Sequence, residues 1–295
     1  INSEWTEDDV YPIAYVNDVS RLPIECKPGF KVLVRNTFSS DDDYYLEFTN
    51  ALVKREEESA KAAESGQGYW EEIAKPGEKV ILDPATMPHC ITRTLNGEFI
   101  VAPIAWEERT VGTAKQFNPS FVENFSRISS INYFKNRLIL TSTGGTIVTS
   151  RSSDITNLFP ITALTVSPSD PIDVRANSDK TTPLHDTIVT NNGLVVFGNE
   201  AQYQFFTVSD ILSPSTVNIT QVANYQFEPN SVPQSLNTNI SFVTSKGSTR
   251  MYEMTNVFDR GQVDVNERSK PIQSKFAKGY THTSSSRIYN ILGYS

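Results

Sequence analysis

Apolar and polar positions alternate along most of the chain in runs of four to six residues, and clusters of Gly, Asn, Pro, Asp and Ser separate the runs. Period-two alternation marks a strand with one buried face, and those clusters are residues that turns require. The runs at residues 30–35, 44–48, 99–104, 137–141 and 194–197 are rich in Val, Ile, Leu, Tyr, Phe and Thr and predict strands. One segment departs from this pattern. Residues 51–64 are almost all good helix formers, but their apolar positions are mostly alanine, so the face they could bury is thin. They predict a short solvated helix or a loop inserted between two strands and ended by Gly66 and Gly68. A charge run of this kind is ordinarily a solvated face. The expected fold is all-β, with a charged insertion at 51–65.

From residue 131 the pattern repeats. A shift of 56 residues lays 131–149 on 187–205 without a gap, and both read strand, short turn, strand, Gly/Asn turn, strand. Leu138-Ile139-Leu140 falls on Leu194-Val195-Val196. Lys135-Asn136 falls on Asn191-Asn192, and Asn192-Gly193 is a strong hairpin signal. The hairpin recurs at 240–254, with Lys246-Gly247 as its turn, and begins again at 287–292. Linking strands repeat as well. Ser167-Pro168-Ser169 precedes Ile172-Asp173-Val174, and a shift of 46 residues matches it to Ser213-Pro214-Ser215 before Asn218-Ile219-Thr220. Val263-Asp264-Val265 is a third copy.

Each unit therefore holds about four short antiparallel strands in roughly 50 residues, the size of a β-propeller blade. One such sheet cannot bury both faces alone, so it must stack on neighbours. A β-sandwich has similar strands but no reason to repeat at this period. A partial β-propeller-like stack is preferred, with the sandwich as the alternative. Residues 1–120 do not fit the repeat and are expected to form a separate β-rich, platform-like domain. Residues 121–295 are expected to form the propeller-like region, with the boundary between Phe117 and Ser130.

Composition changes the picture in three ways. At 295 residues the chain suits two domains of about 100–200 residues each. Its net charge of −8 argues against tight general binding to nucleic-acid phosphates, which needs a surplus of Lys and Arg on the contact surface. The only cysteines, Cys26 and Cys90, exclude a disulfide-rich scaffold and a multi-cysteine zinc module, and leave either one bridge or two reduced thiols. No run of about 18 apolar residues predicts a membrane-spanning helix. The polar start, Ile1-Asn2-Ser3-Glu4-Trp5, lacks Met and does not read as a signal peptide. The end at Tyr294-Ser295 falls inside a strand-like run. The chain is expected to be a piece of a longer protein.

Motifs that carry chemistry are sparse. The histidines, His89, His185 and His282, fall in no metal-ligand spacing. There is no nucleophile elbow, P-loop or dinucleotide fingerprint, and Gly144-Gly145 reads as a turn. Asp41-Asp42-Asp43 reads as a polar hairpin tip in preference to a cation site. Asp170 and Asp173 offer two carboxylates, which hydrolyse glycosides when they face each other about 5–10 Å apart. No signature joins them to an aromatic cleft, although Tyr133 is a nearby aromatic. Trp70, Trp106 and the other aromatics read mainly as core or cross-strand pairs. No cofactor and no metal are expected, and a structural or binding role is favoured over an enzyme.

A series of spaced segments carries a family resemblance. It runs Tyr44-Tyr45-Leu46-Glu47-Phe48, Gly68-Tyr69-Trp70-Glu71-Glu72, Thr86-Met87-Pro88-His89, Thr92-Arg93, Asn96-Gly97-Glu98-Phe99 and Trp106-Glu107-Glu108-Arg109-Thr110-Val111-Gly112. It continues with Asn118-Pro119-Ser120-Phe121-Val122, Tyr133-Phe134-Lys135-Asn136-Arg137-Leu138, Ser150-Arg151-Ser152 and Asp170-Pro171-Ile172-Asp173. In this order they closely resemble the tail tubular B proteins, the tail nozzles of short-tailed bacteriophages (podoviruses). The family often has Asp after the glycine of the Arg-x-Val-Gly stretch, where this chain has Thr113, and the 51–64 insertion looks longer than usual.

The resemblance implies a non-enzymatic virion tail protein, assembled in the host cytoplasm. It implies a homo-hexameric ring below the portal and adaptor, a tube through which double-stranded DNA passes without sequence-specific binding, and tail fibres docked near the adaptor junction. The competing class is a tail-associated protein that binds or hydrolyses polysaccharide. Within the family-like segments, Trp70 and Trp106 are expected to anchor the first domain's core. Arg93, Arg109 and Arg137 are expected to bridge strands or subunits, or else to be plain surface positions. Met87-Pro88-His89 is expected to set a turn into the next strand, Asn136 to make a hairpin turn, and Asp170 and Asp173 to tie adjacent blades.

Overall fold

The computed structural model describes residues 15–50, 66–176, 182–190, 193–236, 238–245, 249–255, 263–275, 282–286, 288–289 and 291–295. The charged insertion, the turn residues Asn191, Asn192, Lys246 and Gly247, and Arg287 lie outside them. The described chain is all-β, as its alternation predicts, with only short helices. No helix among the described residues is long and apolar enough to cross a membrane. The chain divides into two compact units, one of Ile1–Asn118 with Phe159–Val166 and one of Pro119–Leu158 with Ser167–Ser295.

The first unit contains strands β1 (Tyr15–Val16), β2 (Glu25–Cys26), β3 (Lys31–Val34), β4 (Tyr44–Thr49), β5 (Gly66–Gln67), β6 (Tyr69–Ile73), β7 (His89–Arg93) and β8 (Phe99–Pro103), then helix α1 (Ala114–Phe117). Its main sheet has the order β1-β3-β4-β6; β1 joins in parallel and the other pairs are antiparallel. Alternation along β3 and β4 sends Val32, Val34 and Leu46 inward, where they meet Val16 and Leu22, and Tyr44 and Trp70 pack on them. Phe48 is fully buried and meets Trp70 edge to face at 5.2 Å. The 159–166 excursion is held in this unit by Ala163, whose N–H donates to Glu72 Oε2 at 3.1 Å.

The second unit opens with α2 (Ser120–Glu123) and continues as three four-stranded antiparallel sheets, each built from consecutive strands. They are β9 (Ile128–Phe134), β10 (Arg137–Ser142), β11 (Thr146–Thr149) and β12 (Asp173–Arg175); then β13 (Leu184–Thr190), β14 (Gly193–Gly198), β15 (Gln202–Thr207) and β16 (Val217–Ala223); then β17 (Gln234–Leu236), β18 (Asn239–Thr244), β19 (Arg250–Thr255) and β20 (Asp264–Glu267). A two-stranded sheet, β21 (Thr283–Ser286) with β22 (Ile291–Tyr294), follows. No closed barrel or propeller is found among the described residues.

The 56-residue shift holds for the first three strands of the first two sheets. It carries β9 onto β13 and β10 onto β14 with identical bounds. The middle sheet shows why such a unit needs neighbours. Every residue of β14 is buried. Leu194 and Val196 enter a core shared with Ile139 and Ile147 of the first sheet and with Ile172 just before β12. Val195 and Phe197 enter a second core shared with Ile240, Phe242 and Met254 of the third. A strand buried on both faces loses the polar alternation of a half-exposed strand, and Leu-Val-Val-Phe is the result.

Candidate functional site

The family-like residues of the second unit meet around Arg137. It lies at the start of β10, after a two-residue turn in which Lys135 (φ +46°) and Asn136 (φ +61°) both adopt left-handed backbone. That geometry matches the twist of the flanking strands, and asparagine tolerates it better than most residues. The Arg137 side chain is fully buried, yet among the described residues no carboxylate forms an ion pair with it. Its guanidinium donates instead to backbone carbonyls: Nη1 to Ser150 O (2.9 Å) and Asp170 O (2.7 Å), Nη2 to Pro168 O (2.7 Å), and Nε to Leu212 O (3.2 Å). The planar five-donor fork suits this task as a lysine would not. Burial lowers its pKa, while the nearby Asp170 favours the cation.

Three of those carbonyls, of Pro168, Asp170 and Leu212, belong to or border the repeated Ser-Pro-Ser loops, and the two loops fold alike. In the first, Ser167 N–H donates to Asp170 Oδ2 at 2.7 Å and the Ser167 and Ser169 hydroxyls are 2.9 Å apart. In the second, Ser213 N–H donates to Thr216 Oγ1 at 3.0 Å and the Ser213 and Ser215 hydroxyls are 3.1 Å apart. A side-chain oxygen three residues on captures the serine N–H in each. Arg137 thus joins the first sheet's own loop to the loop of the second sheet.

Among the described residues, the carboxylates of Asp170 and Asp173 bond within the first sheet and its flanking segments. Asp170 is buried within its own loop, with Arg151 Nε 3.9 Å away. Asp173 accepts from Ser120 of α2. Besides the shared apolar core, polar contacts between the first two sheets include Arg137, Lys135, whose Nζ donates to Asp210 O at 2.9 Å, and Thr187 of β13, which meets Ser130 Oγ at 3.0 Å and takes the Asn132 amide on its carbonyl at 3.0 Å. The residue types of β9 and β13 allow this polar seam, but nothing in the sequence singles out Thr187.

In the first unit Arg109 is the second buried guanidinium. It donates to Glu78 Oε2 (3.1 Å), Lys79 O (3.2 Å) and the carbonyls of Val111 and Gly112. Glu78 also accepts the Ala114 N–H at 2.6 Å, so one carboxylate joins the 75–80 loop, Arg109 and the start of α1. Burial works against the Glu78 anion, but Ala114, Lys75 and Arg109 together hold its pKa below the usual value. Thr113, where the family often has Asp, is the N-cap of α1 and completes a capping box with Gln116; threonine caps a helix much as aspartate does.

Trp106 is buried, whereas Trp70 is half-buried and donates to Pro23 O at 3.0 Å. Met87 is buried, Pro88 is half-buried, and His89 Nδ1 donates to Met87 O at 3.0 Å where β7 begins. Arg93 is exposed at the end of β7. Cys26 and Cys90 are unpaired thiols.

A cavity of about 360 Å³ lies where the β14–β15 turn, the segment after β16 and the end of β18 meet, lined by Asn199, Glu200, Gln226, Glu228 and Ser245 among others. Its described lining has two carboxylates and no Lys or Arg, which suits it poorly to a phosphate. His185 stacks obliquely on Phe227 nearby, with ring centres 6.3 Å apart, and burial lowers its pKa. Among the described residues no cluster of three or more His, Cys, Asp or Glu could hold a metal.

The chain is 26% identical over 236 residues to tail tubular protein gp12 of Escherichia phage T7, an alignment covering 79% of this chain and 27% of that protein. The chain therefore spans about a quarter of the length of this relative. The sequence profile of the bacteriophage nozzle proteins matches residues 6–282. The chain belongs to the bacteriophage nozzle protein family.

Proposed function

We propose that this chain is part of the wall of a phage tail nozzle: six copies form a ring, and the ring is a conduit for double-stranded DNA leaving the virion. The family match over residues 6–282 carries this reading. The architecture supports it, since a conduit needs stiff walls and the middle sheet is clamped by a core on each face.

In this reading residues 121–295 are part of a β-propeller-like region whose remaining sheets come from elsewhere in the full protein. The first strand of one sheet meets the first strand of the next at two junctions, β9 with β13 through Thr187 and β17 with β21 through Gln234, which donates to Thr283 and accepts from Ser285. That is how blades approach one another near a propeller axis. Residues 1–120, with the 51–65 insertion, form a platform that meets the tail adaptor, and tail fibres dock near that junction. The net charge of −8 suits a lumen that does not grip phosphates.

Immunogold labelling of intact virions with antibody against this chain tests the reading. Label on the tail, together with loss of the tail tube in particles lacking the protein, supports it. Label on the head, or normal tails without the protein, contradicts it. The polysaccharide alternative gains no support from Asp170 and Asp173, which are engaged in structural hydrogen bonds.

A further inference from the structure

We infer that the β7–β8 hairpin is an intersubunit arm whose apolar face docks on the 36–43 loop of a second copy of this chain; the inference rests on the ring reading above. The hairpin pairs with no third strand among the described residues. Its register sets His89 opposite Pro103, Ile91 opposite Val101 and Arg93 opposite Phe99, so these six side chains share one face. That face is bare: Ile91, Val101 and Phe99 are 69%, 65% and 70% exposed, and Leu95 in the turn is fully exposed. A two-stranded ribbon is marginal in water by itself, and contiguous apolar surface of this kind marks an interaction site.

The chemistry of the face selects its partner. Its only full charge is Arg93, so a fitting surface is apolar with a carboxylate beside it. The 36–43 loop offers both. Phe38 is 97% exposed and Asp42 is exposed. The loop is braced from within: Phe38 N–H donates to Asn36 Oδ1 and Asn36 N–H to Asp43 Oδ1, each at 2.8 Å, and Gln116 Nε2 donates to Asp43 O at 3.1 Å. Phe38 is thus held outward on an ordered turn, ready to bind without a large ordering cost. Arm and loop are different surfaces of one chain, so their contact is heterologous, the kind that closes rings. Hairpin against hairpin would instead bring together two apolar faces that each carry an unpaired Arg93.

The test places a photo-crosslinking phenylalanine analogue at position 99 of the full-length protein and assembles it from a mixture of isotopically light and heavy subunits. The expected product is a light–heavy crosslink that maps to residues 36–43. Rings that form but give crosslinks within one chain, to another region, or not at all overturn this inference and leave the ring reading standing. Wild-type full-length protein that never associates overturns both. As an independent check, Arg93→Glu and Asp42→Lys should each weaken assembly about tenfold, and the two together should restore it; additive loss in the double variant, with each single variant folded by tryptophan fluorescence, contradicts the contact.

Discussion

Asp173 holds Ser120 twice, accepting its backbone N–H and its hydroxyl, each at 2.7 Å. Ser120 opens α2, where the second unit begins, and Asp173 opens β12, the last strand of the first sheet. The pair fastens the entry of that sheet to its exit, and the acceptor's charge strengthens both hydrogen bonds.

Asp173→Ala therefore removes two bonds and Ser120→Ala only one. The expected losses are about 2 and about 1 kcal/mol, and burial, which raises the Asp173 pKa, offsets part of what its charge contributes. Urea unfolding followed by far-ultraviolet circular dichroism measures them. All three tryptophans lie in the first 118 residues, so tryptophan fluorescence should report the first unit unchanged. Equal losses for the two variants would show that Asp173 does not hold the backbone N–H.

Arg137→Met should cost about 3 kcal/mol, because four carbonyls lose a donor together, three of them on the buried residues Ser150, Asp170 and Leu212. Arg137→Lys keeps the charge but not the fork and should recover less than half of that. Denaturant midpoints of the second unit check both. Full rescue by lysine would mean that charge alone matters here.

The two units should respond to acid at different pH. His185 sits in a buried environment that lowers its pKa from 6.5, so the folded state resists protonation and the second unit loses stability as pH falls from about 6.5 to its folded pKa. Asn199 and Glu228 favour the charged ring and limit the effect. Glu78 is held below its ordinary 4.5, so its contribution in the first unit is intact above that pH and is lost as pH falls through the folded pKa. His185→Gln should flatten the upper step and Glu78→Gln the lower, read by circular dichroism and tryptophan fluorescence respectively.

Gly77 and Gly112 have similar positive φ, +84° and +61°, but different surroundings. A Cβ at Gly77 meets nothing within 4 Å, whereas at Gly112 it strikes the Phe117 ring. Gly77→Ala should cost about 1 kcal/mol, from the backbone alone, and Gly112→Ala at least about 2. Thermal melts followed by tryptophan fluorescence compare them.

The repeat was the most legible feature of the sequence. The strands β9 to β11 and β13 to β15 follow from one 56-residue shift, because each sheet faces the same packing problem. The fall of the shift to 46 at the Ser-Pro-Ser loops marks extra chain between β11 and β12, and the 159–166 excursion lies within it. What stayed hidden has physical reasons. The partners of Arg137 are backbone carbonyls, which leave no signature in residue types. The β7–β8 hairpin alternates like any half-buried strand, so composition does not reveal that Ile91 and Phe99 are bare. Asp173 finds its partner 53 residues away in a helix that no repeat predicts.

The most direct test of the nozzle reading is electron microscopy of the purified full-length protein combined with native mass measurement. The account predicts a six-fold ring of six chains around an open channel, with the four-stranded sheets of the second unit continuing into a closed propeller-like region. Compact particles without a channel, or a monomer that stays monomeric when the other tail components are added, would contradict it.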